Sequence, residues 1–135
     1  MNTAQRYFLK KEDKLKSRKA IDEIFNKGKN FSSFPLKVIY LPHNKMAALQ
    51  AGVGVSSKNF KKAVDRNRIK RLMREAYRIQ KNSLQDYLQQ NNKRMSVFFL
   101  YVGKELPPYE LIAEKMNIAL KRLLKLSHEK LETNL

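Results

Sequence analysis

The sequence predicts an α+β fold, a small sheet covered on one side by helices. Three observations carry this expectation. Met95-Ser96-Val97-Phe98-Phe99-Leu100-Tyr101-Val102 is a continuous apolar run closed by Gly103, the mark of a central strand covered on both faces. Two shorter strand-like runs, Leu36 to Leu41 and Leu49 to Ser56, precede it, the first ended by Pro42-His43-Asn44. Apolar residues three and four apart recur before, between and after these runs, at the spacing of amphipathic helices. The order is helix, strand, strand, helix, strand, helix.

Met1 to Lys16 has no sustained periodicity and reads as an extended arm. Ser17 suits the N-cap of a short helix bearing Ala20, Ile21, Ile24 and Phe25, with Gly28 as its C′ residue. In the second strand Ala51, Val53 and Val55 alternate with Gly52 and Gly54, so one face is bare backbone, which marks tight packing or a bend. A basic helix then begins between Asn59 and Val64 and fades near Lys81. The polar segment Ser83 to Asn92 could extend it through Leu84, Tyr87 and Leu88. Pro107-Pro108 opens a final helix with the stripe Leu111, Ile112, Met116, Ala119, Leu120, Leu123 and Leu124, expected to fray after Ser127. With no repeat and no linker, residues 1–135 form a single domain, 1–13 and 128–135 being expected to be mobile. The sheet face left open beside the first helix would form a groove. Phe25 and Tyr40 are candidates to line it, although core packing is the stronger reading for a lone phenylalanine on an apolar helix face.

Charge gives the first functional constraint. The 135 residues carry a net charge of +17 with 42% hydrophobic content, so a folded partner of a polyanion is indicated rather than a disordered basic tail. Residues 1–30 hold nine basic and four acidic side chains, whereas residues 104–135 hold six and five, so the cationic surface belongs to the first two thirds. No window approaches the ~18 apolar residues of a membrane span, and the N-terminus lacks a signal-peptide core, so a cytoplasmic protein without a membrane partner is expected. The absence of cysteine excludes disulfides and thiolate metal sites.

The charge peaks on the basic helix. At about 100° per residue, Ile69, Leu72, Met73, Ala76 and Ile79 form one stripe. Asn67, Lys70, Arg71, Arg74 and Arg78 form the opposite one, with Arg66 at its edge. Between Lys58 and Lys81 ten basic residues face only Asp65 and Glu75. A face meant for solubility mixes signs, because like charges one turn apart repel by a few tenths of a kcal/mol. Repulsion this concentrated implies a polyanion that neutralises it, and arginine, planar and bidentate, suits RNA phosphates and unpaired bases better than duplex DNA.

Catalytic chemistry is not evident. His43 sits in a turn beside proline and His128 near the C-terminus, so they make no acid/base pair. Gly52-Val53-Gly54 lacks the third glycine of a phosphate loop and lies in a strand. Asp65, alone among arginines, reads as a helix-start residue rather than a metal ligand. No catalytic residue and no protein-held metal are therefore expected.

The motif Phe60-x-x-Ala63-x-x-Arg66-Asn67-Arg68-Ile69-Lys70-Arg71-x-Met73-Arg74 resembles the signature of the protein component of bacterial ribonuclease P. Ile24-Phe25-x-x-Gly28 and Gly52-Val53-Gly54-Val55-Ser56 stand in family order before it, and the resemblance covers about residues 5 to 126. It implies a two-layer α/β sandwich with a small mixed sheet and a left-handed β-α-β crossover carrying the basic helix, as in the second domain of a small-subunit ribosomal protein. Composition alone would have chosen the right-handed connection. The resemblance further implies the protein half of an endonuclease that removes the 5′ leader of precursor tRNA, with catalysis by the RNA subunit and its Mg2+. Its partners would be ribonuclease P RNA and precursor tRNA, with no obligate protein partner. By the same resemblance Arg66, Asn67, Arg68, Lys70, Arg71, Arg74 and Arg78 contact the catalytic RNA, and Ile21, Phe25, Lys37, Tyr40 and Lys58 line the leader groove. Ile21 stands where an aromatic residue is common in the family, which leaves apolar contact there in place of base stacking. A structural RNA-binding protein of the ribosome would share the size, charge and fold class and differ in the motif; a DNA-binding regulator is disfavoured because a strand precedes the basic helix. Arg71→Ala is expected to weaken binding to the catalytic RNA and to flatten its log–log salt dependence by about one contact, roughly 0.7 to 0.9 in slope. Unchanged affinity and slope would remove Arg71 from the interface.

Overall fold

The computed structural model describes residues 14–15, 17–43 and 48–133, the last five by backbone alone. Its elements are α1 (Arg18–Lys27), β1 (Lys29–Ser33), β2 (Leu36–Pro42), β3 (Leu49–Val55), α2 (Ala63–Gln80), α3 (Asn82–Gln90), β4 (Met95–Tyr101) and α4 (Tyr109–Thr133). The sheet order is β1-β2-β4-β3. β1 and β4 each run antiparallel to β2, whereas β3 runs parallel to β4, so the sheet is mixed. The apolar run of β4 lies inside the sheet, as its composition requires, because both its faces are covered.

Strand alternation divides the side chains between two layers. Phe31, Leu36, Val38, Tyr40, Leu49, Val97, Phe99 and Tyr101 share one core with Ile69, Met73, Ala76 and Tyr77 of α2, Leu84 and Leu88 of α3, and Ile112, Met116, Ala119 and Leu123 of α4. On the opposite face Leu15, Ile24, Ile39 and Phe98 form a smaller cluster, with Ala20, Ile21, Leu41 and Leu100 packed against it. Three helices thus cover one face and α1 covers part of the other.

α1 starts as its sequence predicts, with the Ser17 hydroxyl accepting from the Ala20 amide at 3.4 Å. Its end differs in kind. Gly28 has φ −74°, not the left-handed conformation of a C′ glycine. Space is what requires glycine there: a Cβ would meet the carbonyl oxygens of Ile24 at 2.5 Å and Tyr40 at 2.8 Å. The bare face of β3 serves close packing, since a Cβ on Gly54 would lie 2.7 Å from Cζ of Phe98.

Four expectations are corrected. β1 was absent from the predicted order, because Lys29-Asn30-Phe31-Ser32-Ser33 holds one apolar residue and becomes a strand only as the hairpin partner of β2. The Gln/Asn-rich segment forms α3, a separate helix after Lys81, with Leu84 and Leu88 buried. α4 does not end near Ser127 but continues to Thr133. Ser127 is buried, its hydroxyl donating to Leu123 O at 2.8 Å, and the next residue, His128, packs against Tyr87 with the rings tilted at 46° and their centres 4.0 Å apart. On α2, Ile79 is 43% exposed, whereas Tyr77 is buried with its ring 5.7 Å from that of Phe99. The helix packs against β3 as well as α4, which turns its buried arc toward the strand. Gly54→Ala is expected to cost about 1–3 kcal/mol by overpacking Phe98, read from urea denaturation; a neutral effect would mean that the ring moves aside freely.

Candidate nucleic-acid interface

The basic helix is anchored before it begins. Asn59 Nδ2 donates to the carbonyls of Val102 (3.3 Å) and Gly103 (3.2 Å), tying the loop to the end of β4. Phe60 is buried with its ring 6.0 Å from that of Tyr101. Lys62, at the N-cap, supplies no side-chain cap, and Asp65 occupies the first turn, where a carboxylate complements the helix dipole.

The predicted RNA-binding residues separate into groups. Arg66 Nη1 donates to the carbonyls of Phe60 and Lys61, both at 2.8 Å, so this arginine fastens the loop to the helix. Arg78 pairs with Glu75 through Nη2–Oε1 at 2.6 Å and Nε–Oε2 at 3.3 Å, and that hydrogen-bonded carboxylate raises its already high pKa. Asn67, Arg71 and Arg74 are exposed and line one shallow recess with Glu75 and Arg78. Arg68 is exposed but stands about 100° round the helix from Asn67, on the flank of Leu72. Lys70 is half-buried.

Arg74 also lines a second recess with Lys14, Leu15, Gly52 and Tyr77. Leu15 donates its amide to Ala51 O at 2.9 Å and Lys14 bridges to Ala51 in parallel, so the arm adds to the free edge of β3 and brings Lys14 beside α2. Sequence reading passed over Lys14. The only signal was that β3, in this order, has an edge to be covered.

The residues expected to line a groove, Tyr40 apart, belong to the other face of the sheet or its end. Phe25 is 47% exposed and meets Phe98 edge-on, with ring centres 5.2 Å apart. Ile21 is half-buried against the same cluster. Lys37 is exposed and paired in register with Leu100, which in turn pairs with Gly54. Lys58, exposed, follows three residues beyond β3 at that end of the sheet. Tyr40 does not join them. It is buried on the α4 side, its ring 6.1 Å from Phe31. Lys37 and Tyr40 are an odd number of residues apart in one strand, so they point to opposite faces, and Ile39 takes the groove-side position.

Among the described residues, no group of three or more histidine, cysteine, aspartate or glutamate side chains is placed to hold a metal ion, and no helix is long and apolar enough to cross a membrane.

The family model described as Ribonuclease P matches residues 9–124. The chain belongs to the ribonuclease P protein family. It is similar to the ribonuclease P protein component of Porphyromonas gingivalis, 36% identical over 125 residues and covering 91% of each chain. It is 34% identical over 121 residues to that of Chlorobium phaeobacteroides, covering 81% of this chain and 83% of the relative. The solved structure of the RNase P protein from Thermotoga maritima shares the fold, with a TM-score of 0.60 and 24% identity over 81% of this chain and 96% of that one. In this ribonuclease P family chain, Arg66→Gln is expected to lower unfolding free energy by about 1 kcal/mol, since charged donors to two carbonyls are lost. Arg71→Gln should stay within about 0.5 kcal/mol. Equal melting temperatures for the two variants would remove the anchoring role from Arg66.

Proposed function

We propose that this chain is the protein subunit of ribonuclease P, acting in tRNA processing by binding the catalytic RNA through α2 and the 5′ leader of precursor tRNA in the groove beside α1. One observation carries the reading: a rigidly docked helix presents Asn67, Arg71 and Arg74 outward, while the opposite sheet face carries the apolar cluster around Phe98 with Phe25 and Lys37 exposed beside it. Two RNA segments would then be held at once by one small scaffold.

The chemistry available to each surface differs. Guanidinium groups stay protonated at any physiological pH, so α2 contributes charge and bidentate contacts rather than proton transfer. Its face offsets the repulsion between two polyanions brought together. In the groove, Phe25 and the rim of Phe98 offer faces and edges to unpaired bases, with Lys37 and Lys58 for the intervening phosphates. Tyr40 has no part in the leader contact of this reading, and Arg66 acts by holding α2 in place.

Magnesium belongs to the RNA in this account. The recess on α2 is lined by the guanidinium groups of Arg71, Arg74 and Arg78, which repel a divalent cation, with Asn67 and with Glu75, which Arg78 engages. The protein therefore binds and orients, and the bond is broken elsewhere. A cytoplasmic location follows from that role.

Precursor-tRNA cleavage at low magnesium tests the proposal, comparing the catalytic RNA alone, with this protein, and with an Arg71→Ala/Arg74→Ala variant. Strong stimulation by the wild type and at least about tenfold less by the variant is expected, since two lost charge-assisted contacts together exceed about 1.4 kcal/mol. Absence of stimulation by the wild type, with RNA binding intact, would overturn the assignment.

A further inference from the structure

Tyr40, withdrawn from the groove, lies in a cationic setting on the far face of the sheet. Its direct cross-strand partner is Lys29, which is exposed. Two residues along β1, about 7 Å away, Phe31 packs against the Tyr40 ring and carries Arg122 of α4 over its own face, with Arg122 Cζ 4.5 Å from the ring centre. Burial pushes the Tyr40 phenol up, and the nearby Arg122 cation draws it back down. Among the described residues neither Arg122 nor Lys29 pairs with a carboxylate, and the Tyr40 hydroxyl makes no hydrogen bond. Two cations and a phenol therefore lie close together on this face, with no carboxylate paired to either cation among the described residues.

We propose that Arg122, Lys29 and the Tyr40 hydroxyl form a second phosphodiester-binding patch, for an RNA segment other than the one in the groove. A guanidinium lying over an aromatic ring is already partly held in place, so less side-chain freedom is lost when it meets a phosphate in bidentate fashion. Lys29 adds a flexible point charge beside it. The patch faces the α4 side of the sheet, so a strand lying against Phe25 and Lys37 cannot reach it without rounding the β1 edge. A lone cation–π contact serving only to hold α4 would not need Lys29 at this place. The inference rests on the RNA-binding reading above and adds a surface to it.

Footprinting of the assembled complex tests it. Phenylglyoxal modification of arginines and acetylation of lysines, mapped by mass spectrometry, would be compared for the protein alone and bound to ribonuclease P RNA. Arg122 and Lys29 should be protected several-fold, together with Arg71. Protection of Arg71 with Arg122 and Lys29 reacting as in the free protein would overturn the second patch and leave the proposed function standing. If Arg71 also reacts unchanged, the RNA-binding reading itself fails and the patch falls with it. Because Arg122 packs on Phe31, Arg122→Gln and Arg122→Lys are compared in the same complex. A phosphate contact predicts a log–log salt slope flatter by about 0.7 to 0.9 for the glutamine variant, restored in large part by lysine. A lowered melting temperature with an unchanged slope would assign Arg122 to packing alone.

Discussion

The two adjacent phenylalanines of β4 hold this molecule together. Phe99 points into the core, where Tyr77 of α2 meets it; Phe98 points the other way, where Phe25 of α1 meets it. Consecutive residues of a strand project to opposite faces, so one short segment fastens both α1 and α2. Removing a ring of this kind costs about 3–5 kcal/mol, a large share of the roughly 5–15 kcal/mol that holds a domain folded. The distance between the basic helix and α1 is accordingly set by backbone pleat rather than by any flexible connection.

The electrostatics divide in a similar way. Not every arginine of α2 has the same task. Arg66 and Arg78 are engaged within the fold, by carbonyls and by Glu75, while Arg71 and Arg74 remain exposed. A helix carrying this much like charge needs such internal partners near its start and end. The exposed pair then repels its neighbours without loosening the turn before it, because Asn59 and Phe60 already bind that turn to β4.

Most of the fold was legible in the sequence for plain reasons. The apolar run of β4, the alternating glycines of β3 and the Ser17 cap each follow from one local rule, and each appears where that rule places it. β1 was not legible, because its strand character comes from pairing with β2 and not from its own side chains. The candidate site was legible by half. Periodicity found the exposed face of α2, yet it could not tell a free arginine from one bonded to a carbonyl six residues back. Tyr40 fails on a point the sequence did contain: placing it beside Lys37 violated the period of two. Arg122 and Lys14 escaped because their neighbours come from distant parts of the chain.

The short parallel pairing of Lys14 and Leu15 with Ala51 has a consequence of another kind. A sheet with open rims invites other chains to add strands. Here Lys14 and Leu15 occupy part of one rim. The other, β1, is five residues long and studded with Lys29, Asn30 and Ser32. Both ends of the sheet are thereby poorer templates for self-association, and Lys14 and Lys29 at the two rims would repel a second copy as well.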